Sequence, residues 1–131
     1  MTRTAACEPG LRVTHRRYVP FSHAHYAGDL VDGAYCLGLF GDVATELCIT
    51  TDEDEGLFAS YDDVQFCAPV RAGDLLEIAA ELTRVGTRSR VITFTASIVG
   101  RGVESTRGSA AAMLPEPIVA TTAIGTCVVP G

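Results

Sequence analysis

The sequence contains no lysine, so its ten basic residues are all arginine, and they are outnumbered by sixteen acidic residues. The formal net charge is −6. Nucleic-acid binding depends on clustered positive charge facing the phosphates, and this chain shows no basic stripe. We therefore expect no nucleic-acid partner. An anionic ligand would have to be held locally, by a few arginines or by backbone N–H groups.

Long apolar runs are also missing. A membrane-spanning helix needs about 20 predominantly apolar residues, and the best stretch, residues 30–49, contains Asp32, Asp42 and Glu46. The N-terminus lacks the apolar centre of a signal peptide. We expect no membrane partner and a cytoplasmic location. Apolar residues still make up 47% of the 131 residues, which predicts a folded core in a single domain over residues 1–131, with residues 1–10 loosely ordered.

Paired cysteines are absent as well. The five cysteines are widely spaced and none forms a Cys-x-x-Cys pair, which favours free thiols over disulfides or zinc. They are Cys7, Cys36, Cys48, Cys67 and Cys127. His23 and His25 lack an acidic partner at ligand spacing, so we expect no metal site.

Residues 30–49 are typical of one helix, apolar around most of its circumference. At about 100° per residue, Asp42 and Glu46 fall about 20° on either side of Tyr35, so the three share one stripe. We call Tyr35, Asp42 and Glu46 the helix stripe. Two carboxylates held together on a buried helix would be costly, which hints at function. Alternatively, the stripe is the solvated face of an amphipathic helix.

Three glycines interrupt this helix, at Gly33, Gly38 and Gly41. Glycine in a helix interior costs about 1 kcal/mol relative to alanine, which suggests close approach of another backbone or a ligand. Gly33 lies in the first turn, whose unpaired N–H groups could hold a polarised carbonyl oxygen. In the preceding loop, His25 and Tyr26 are candidate site residues, or they only pack the loop.

The rest of the chain has the pattern of strands. Alternation predicts a strand over residues 11–19, with His15 on its inner face as a structural residue. Further strands are expected over residues 57–66, 75–85, 90–99, 103–114 and 118–129, with 50–56 a solvated acidic turn. One long helix followed by antiparallel strands indicates an α+β fold, in which a curled sheet of about five strands wraps the helix.

Two segments resemble a known family. VQFCAPVRAGDLLEIAAELTRVG (64–86) resembles the strand–turn–strand signature of the hotdog fold. The residues that carry this likeness are Phe66, Ala68, Pro69, Val70, Gly73, Asp74 and Glu77. HYAGDLVDGA (25–34) with GDVATEL (41–47) resembles the CoA ammonia lyases of that fold, which act on β-alanyl-CoA and 3-aminobutyryl-CoA. Asp29 and Asp32 stand where that family usually has asparagine.

The resemblance implies a homodimer, often assembled into a trimer of dimers, with acyl-CoA sites between subunits. The implied reaction is reversible loss of ammonia from a β-aminoacyl-CoA, without a cofactor, because coenzyme A is part of the substrate. Backbone N–H groups near Gly33 and Ala34 would take the enolate oxygen. Glu46 and Asp42 would divide the tasks of base and ammonium ligand.

The resemblance also implies accessory roles. Tyr26, Tyr35 or His25 would orient the substrate or shuttle a proton. As exposed turn arginines, Arg88 or Arg90 from the second subunit would meet CoA phosphates; alternatively, both are ordinary surface charges. Other functions stay open: a thioesterase using the same polarised carbonyl, an enoyl-CoA hydratase, or a non-catalytic acyl-CoA-binding subunit.

Overall fold

One helix packs against a five-stranded antiparallel sheet in the computed structural model, which describes residues 3–131. The sheet has the order β1-β3-β4-β5-β2. Its strands are β1 (Arg12–Tyr18), β2 (Leu57–Phe66), β3 (Leu75–Val85), β4 (Ser89–Gly102) and β5 (Ala111–Val128), and the helix is α1 (Gly33–Asp52). The predicted α+β architecture, one long helix wrapped by a curled sheet, is confirmed. The helix does not have the length and apolar character that a membrane span requires, and it is the one α-helix among residues 3–131.

Helix α1 begins at Gly33 rather than at Leu30, because Asp32 caps it. The Asp32 carboxylate accepts a hydrogen bond from the Tyr35 N–H at 3.1 Å. The two residues before this cap form single β-bridges, Leu30 with Arg71 and Val31 with Ala24. The helix ends one turn later than predicted.

One face of α1 is buried and the other is exposed. The buried face packs into the sheet and consists of Cys36, Phe40, Val43, Ala44, Leu47, Cys48, Thr51 and Asp52. The exposed residues are Ala34, Gly38, Asp42, Thr45, Glu46 and Ile49. The helix is therefore wrapped on one side, and its other side is free in the single chain.

Aromatic rings join the helix to the sheet. The rings of Phe40 and Phe94 stack with centroids 4.9 Å apart. Gly125 on β5 makes room for this packing, since an added Cβ would lie 2.7 Å from the Phe94 ring. The Tyr61 hydroxyl donates a hydrogen bond to the Leu37 carbonyl at 2.7 Å, and burial raises the pKa of Tyr61 to about 12. The helix is thus anchored to both β4 and β2.

The C-terminal part of the sheet differs from the prediction. Residues 111–128 form one long strand, whereas the sequence predicted two strands over 103–114 and 118–129. Pro115 and Pro117 are tolerated because the pairing with β4 shifts register between Met113 and Ile118. Proline cannot donate to a ladder, so it fits where the ladder is interrupted.

The N-terminal segment forms hydrogen bonds with the rest of the fold. Thr4 donates to the carbonyl groups of Thr51 and Thr50 at the end of α1, at 2.7 and 2.6 Å. Cys7 is buried, and the Gly10 N–H donates to Leu82 on β3. Residues 4–10 thus have contacts with the end of α1 and with β3, the loose order expected of residues 1–10 stays a prediction, and Met1 and Thr2 lie outside the described residues.

A buried ion pair joins the end of α1 to β4. The Arg90 Nε and Nη2 groups donate to the two carboxylate oxygens of Asp52 at 2.8 and 2.7 Å. Arg90 Nη1 donates to the carbonyl groups of Gly86 and Ser89. Both charged side chains are at most 2% exposed. The predictions of a solvated turn at Asp52 and of an exposed Arg90 are therefore wrong, and Arg90 is occupied within the fold.

The charge of this pair is stabilised by hydrogen bonds. Burial by itself raises the pKa of Asp52, but hydrogen bonds from Arg90 and from the Thr51 hydroxyl outweigh it, so the pKa lies below its ordinary value. Asp52 is therefore ionised in the folded protein at neutral pH. The pair closes the C-terminal end of the helix against the sheet.

Replacing Asp52 by asparagine leaves the Arg90 guanidinium buried without its counter-charge. We expect the Asp52→Asn variant to lose about 3–5 kcal/mol of free energy of unfolding at neutral pH, measured by urea denaturation. The double variant Asp52→Leu/Arg90→Met, which removes both charges, should lose much less. Wild-type stability in Asp52→Asn would contradict this role.

The difference in free energy of unfolding between wild type and Asp52→Asn should decrease as the pH falls. The pKa of Asp52 is lower in the folded protein than its unfolded value of about 3.9. Its stabilising contribution is therefore fully present above that value and is lost as the pH falls through the lowered pKa. The stability gap between wild type and Asp52→Asn should narrow in acid below about pH 4.

Candidate functional site

A cavity of about 650 Å³ opens beside the first turn of α1. Three of the predicted site residues line it, namely Tyr26, Gly33 and Ala34. Phe66 and Cys67, at the end of β2, also line the cavity. The structure therefore brings the predicted helix N-terminus together with a space of the size that small-molecule sites occupy.

The wall of this cavity is held by a buried carboxylate. Asp74 accepts the backbone N–H of Arg71 at 2.8 Å and two hydrogen bonds from the Arg101 guanidinium, each at 2.8 Å. The Asp74 side chain is 1% exposed. The turn that it fixes is joined to the helix entrance by a hydrogen bond from the Val31 N–H to the Val70 carbonyl at 2.9 Å. The cavity is thus built on ordered backbone.

The start of the helix, where N–H groups lack partners within the helix, borders this cavity. The first N–H groups of a helix have no acceptor within the helix, and the Asp32 side chain takes that of Tyr35. Gly33 and Ala34 both line the cavity. A Cβ on Gly33 would lie 2.5 Å from the nearest atom of the Phe66 ring, so glycine permits the close approach of that ring. This arrangement can hold an anion or a polarised carbonyl oxygen.

The helix stripe lies on the exposed face of α1. Asp42 and Glu46 are exposed, so the predicted burial of these two carboxylates is wrong for the single chain. Neither residue lines the cavity. At 1.5 Å per residue, Glu46 lies about 20 Å along the axis from Gly33. A single copy therefore does not bring Glu46 to the N–H groups at the start of its own helix.

Two residues of strand β1, His15 and Arg17, lie beside the helix stripe. His15 Nε2 lies 2.8 Å from Glu46 Oε1, and His15 Nδ1 lies 3.2 Å from the Arg17 guanidinium. The sequence reasoning treated His15 as structural and missed Arg17. Strand alternation offered the signal, because residues 15 and 17 share the inner face of β1 with Val13.

Tyr35 is the half-buried end of the helix stripe. The rings of Tyr35 and His23 lie 4.7 Å apart. Burial raises the pKa of Tyr35; the charge of Asp42 adds to this rise and that of Arg17 opposes it. Tyr35 therefore keeps its proton at neutral pH and remains a hydrogen-bond donor.

The cavity lining does not include the other predicted residues, which are His25, Arg88, Gly38 and Gly41. The rings of His25 and Tyr26 meet edge-on with centroids 4.6 Å apart, and both residues are exposed. Arg88 is exposed near the far end of α1, where its Nε donates to the Val129 carbonyl at 3.2 Å. An added Cβ at Gly38 or Gly41 would meet no other atom within 4 Å. Residues 3–131 contain no cluster of three potential metal ligands.

The chain is similar to proteins of known family. The family model of the thioesterase superfamily matches residues 33–105, which contain all of α1, β2, β3 and β4. The 3-aminobutyryl-CoA ammonia lyase of Acetoanaerobium sticklandii is 53% identical over 107 residues, covering 82% of this chain and 85% of that protein.

Solved structures agree with this likeness. The β-alanyl-CoA:ammonia lyase from Clostridium propionicum is 34% identical, with a TM-score of 0.87 over 93% of this chain and 87% of that one. A hexameric hotdog-fold thioesterase of Campylobacter jejuni, 20% identical with a TM-score of 0.72 over 98% of this chain and 86% of that one, shares the fold. The chain therefore belongs to the thioesterase superfamily of hotdog proteins and, within it, to the family of the CoA ammonia lyases.

Proposed function

We propose that this protein catalyses the reversible elimination of ammonia from a β-aminoacyl-CoA, giving an enoyl-CoA. The observation that carries the proposal is the 53% identity, over 82% of the chain, to a protein named 3-aminobutyryl-CoA ammonia lyase. The reaction uses no cofactor in this proposal, since coenzyme A enters as part of the substrate. We also propose a cytoplasmic location, which suits five cysteines that are all free thiols.

The N-terminal end of α1 supports the first step. Elimination begins with loss of the α-proton next to a thioester, which places negative charge on the carbonyl oxygen. The N–H groups of Gly33 and Ala34 border the cavity and are suited to that oxygen. Removing one donor of this kind typically costs about 3–4 kcal/mol of transition-state stabilisation. Tyr26, in the same cavity, is placed to orient the acyl group.

The helix stripe supports the proton and ammonium chemistry. One carboxylate takes the α-proton and the other holds the β-ammonium group, with Glu46 assigned as the base because of its longer side chain. Asp42 then faces the ammonium, and Tyr35 or His25 donates a hydrogen bond to the substrate. The leaving nitrogen departs as ammonia after the Cβ–N bond breaks.

The separation along α1 favours a site made by two copies. The α-carbon of a thioester is bonded to its carbonyl carbon, so the base and the oxyanion donors must reach neighbouring atoms of one substrate and lie within a few ångströms of each other. Within one chain, Gly33 and Glu46 are about 20 Å apart along the helix. We therefore propose a homodimer, which is the unit of a trimer of dimers, in which each site joins the helix start of one protomer to the helix stripe of its partner.

Relatives support association of copies in general. Solved hotdog thioesterases from Yersinia pestis and Campylobacter jejuni are hexameric. The exposed face of α1 is the side left free for such a contact. In this arrangement Arg88, exposed near the far end of the helix, is available for CoA phosphates.

The reaction itself is tested by adding ammonium to crotonyl-CoA or acryloyl-CoA. We expect the absorbance of the conjugated thioester to fall, and mass spectrometry to detect the β-amino adduct. No free thiol should appear with a thiol reagent. Release of CoA without adduct would instead support the thioesterase function that the superfamily match also allows, and an adduct of water would support a hydratase.

The Glu46→Gln variant should keep the fold and lose most of its turnover. Because glutamine cannot accept the α-proton, we expect kcat to fall by about 10²–10⁴-fold, measured by the absorbance assay. Glu81→Gln is the matched control, since Glu81 also contacts β1, through an exposed ion pair with Arg12, but lies away from the helix stripe. Full activity in Glu46→Gln would reject the assigned base.

Occupancy of the cavity can be followed through Cys67. This residue lines the cavity and is exposed, whereas the other four cysteines are buried. We expect saturating butyryl-CoA, a saturated thioester that cannot eliminate, to slow alkylation of Cys67 several-fold. The Cys67→Ser variant identifies the labelled thiol. An unchanged labelling rate at saturation would place the acyl group elsewhere.

A further inference from the structure

Glu46 is one end of a hydrogen-bonded chain of three side chains. His15 Nε2 contacts Glu46 Oε1 at 2.8 Å, and Arg17 Nη2 contacts His15 Nδ1 at 3.2 Å. Arg17 is itself fixed by a hydrogen bond from its Nη1 group to the Arg16 carbonyl at 2.9 Å. The chain therefore runs from the backbone of β1 to the helix stripe.

The direction of each hydrogen bond follows from the chemistry of the groups. A guanidinium has donors and no acceptor, so His15 Nδ1 must accept from Arg17. The ring proton is then on Nε2, which donates to the Glu46 carboxylate. Arg17 thus selects one neutral tautomer of His15. That tautomer occupies one oxygen of Glu46 and leaves the other without a contact from this pair.

The other contacts between β1 and its neighbouring carboxylates differ from this one. Arg12 pairs with Glu81, and Arg16 pairs with Glu77, on the outer face of the sheet. Their side chains are 39–59% exposed, and such surface pairs contribute little to the free energy of folding. His15 is 16% exposed and faces α1. An arginine at position 15 could take both oxygens of Glu46, whereas histidine takes one.

We propose that His15 is a positioning residue for Glu46, fixed in its Nε2–H tautomer by Arg17, and that it holds the carboxylate with one oxygen directed at the substrate. The inference rests on the proposed function, in which Glu46 is the base. His15 does not touch the substrate; it acts through Glu46. The same pair restrains Glu46, whose side chain is 57% exposed, to one orientation.

The experiment compares His15→Leu with His15→Gln. The glutamine amide nitrogen can occupy the place of Nε2 and donate to Glu46, whereas leucine cannot donate. Because displacement of a reacting group by about 1 Å can cost about 10²-fold, we expect kcat of His15→Leu to fall by about 10–100-fold with little change in KM. His15→Gln should recover most of that loss. Arg16→Met, one residue away on the outer face, should retain wild-type kcat and KM.

A double-mutant cycle separates positioning from a general structural effect. In the Glu46→Gln background, His15→Leu should cause little further loss of activity, because the carboxylate that it positions is gone. Arg17→Met should lower kcat less than His15→Leu, since it frees the tautomer without removing the imidazole. Arg17→Met also serves as the test if His15→Leu does not fold, and wild-type kcat in a folded Arg17→Met protein would then overturn the proposal.

The outcomes distinguish the two levels of the argument. Wild-type kcat in folded His15→Leu, or equal losses in His15→Leu and His15→Gln, would overturn the positioning role while the lyase function stands. A loss from His15→Leu that is undiminished in the Glu46→Gln background would do the same. If the wild-type protein forms no amine adduct, the proposed function fails, and the role of His15 fails with it.

Discussion

The burial of one face of α1 in the curled sheet is the constraint on which the rest of this structure depends. Phe40 stacks on Phe94, and Gly125 is needed beneath that ring. Because a helix has one apolar face, burying it fixes which side chains turn outward. Asp42 and Glu46 turn outward, Tyr35 is half-buried, and Glu46 contacts His15 on the inner face of β1. The position of the helix stripe is therefore a result of core packing.

The two ends of the helix are closed by different means. At the start, Asp32 caps the first turn while Gly33 and Ala34 line the cavity, so this end stays open to a ligand. At the other end, Asp52 is sealed by Arg90, and Thr4 covers the last carbonyl groups. Two buried carboxylate–arginine pairs, at Asp52 and at Asp74, thus hold the helix end and the cavity wall. This division leaves one helix terminus available for chemistry.

Local pattern was sufficient to predict much of the fold. Alternation located β1, β2 and β3 to within a residue or two, and the helix was displaced by three residues because Asp32 was read as interior rather than as a cap. The sequence predicts two strands on either side of Pro115 and Pro117, because the register shift that accommodates these prolines involves β4, which is distant in sequence. Asp52 lies in an acidic run and Arg90 at the start of a strand, next to a predicted turn, so no local pattern indicated a buried pair.

In the candidate site too, residues close in sequence were predictable and contacts between distant residues were not. Gly33, Ala34 and Tyr26 were predictable because they lie within ten residues of one another and share a helix entrance. The contact of His15 with Glu46 was not, because it spans 31 residues and joins a strand to a helix. The exposure of Glu46 was likewise unpredictable, since a helical wheel shows which residues share a face and not what covers that face.

The two faces of β1 carry different chemistry in consecutive residues. His15 and Arg17 point to the helix, while Arg12 and Arg16 pair with carboxylates on the outside. Since successive side chains of a strand alternate, insertion or deletion of one residue within β1 would exchange the two sets. Arginine would then face Glu46, and histidine would face water. Insertions and deletions are consequently tolerable in the loops on either side of this strand and not within it. The spacing and order of the seven residues of β1 are therefore fixed together.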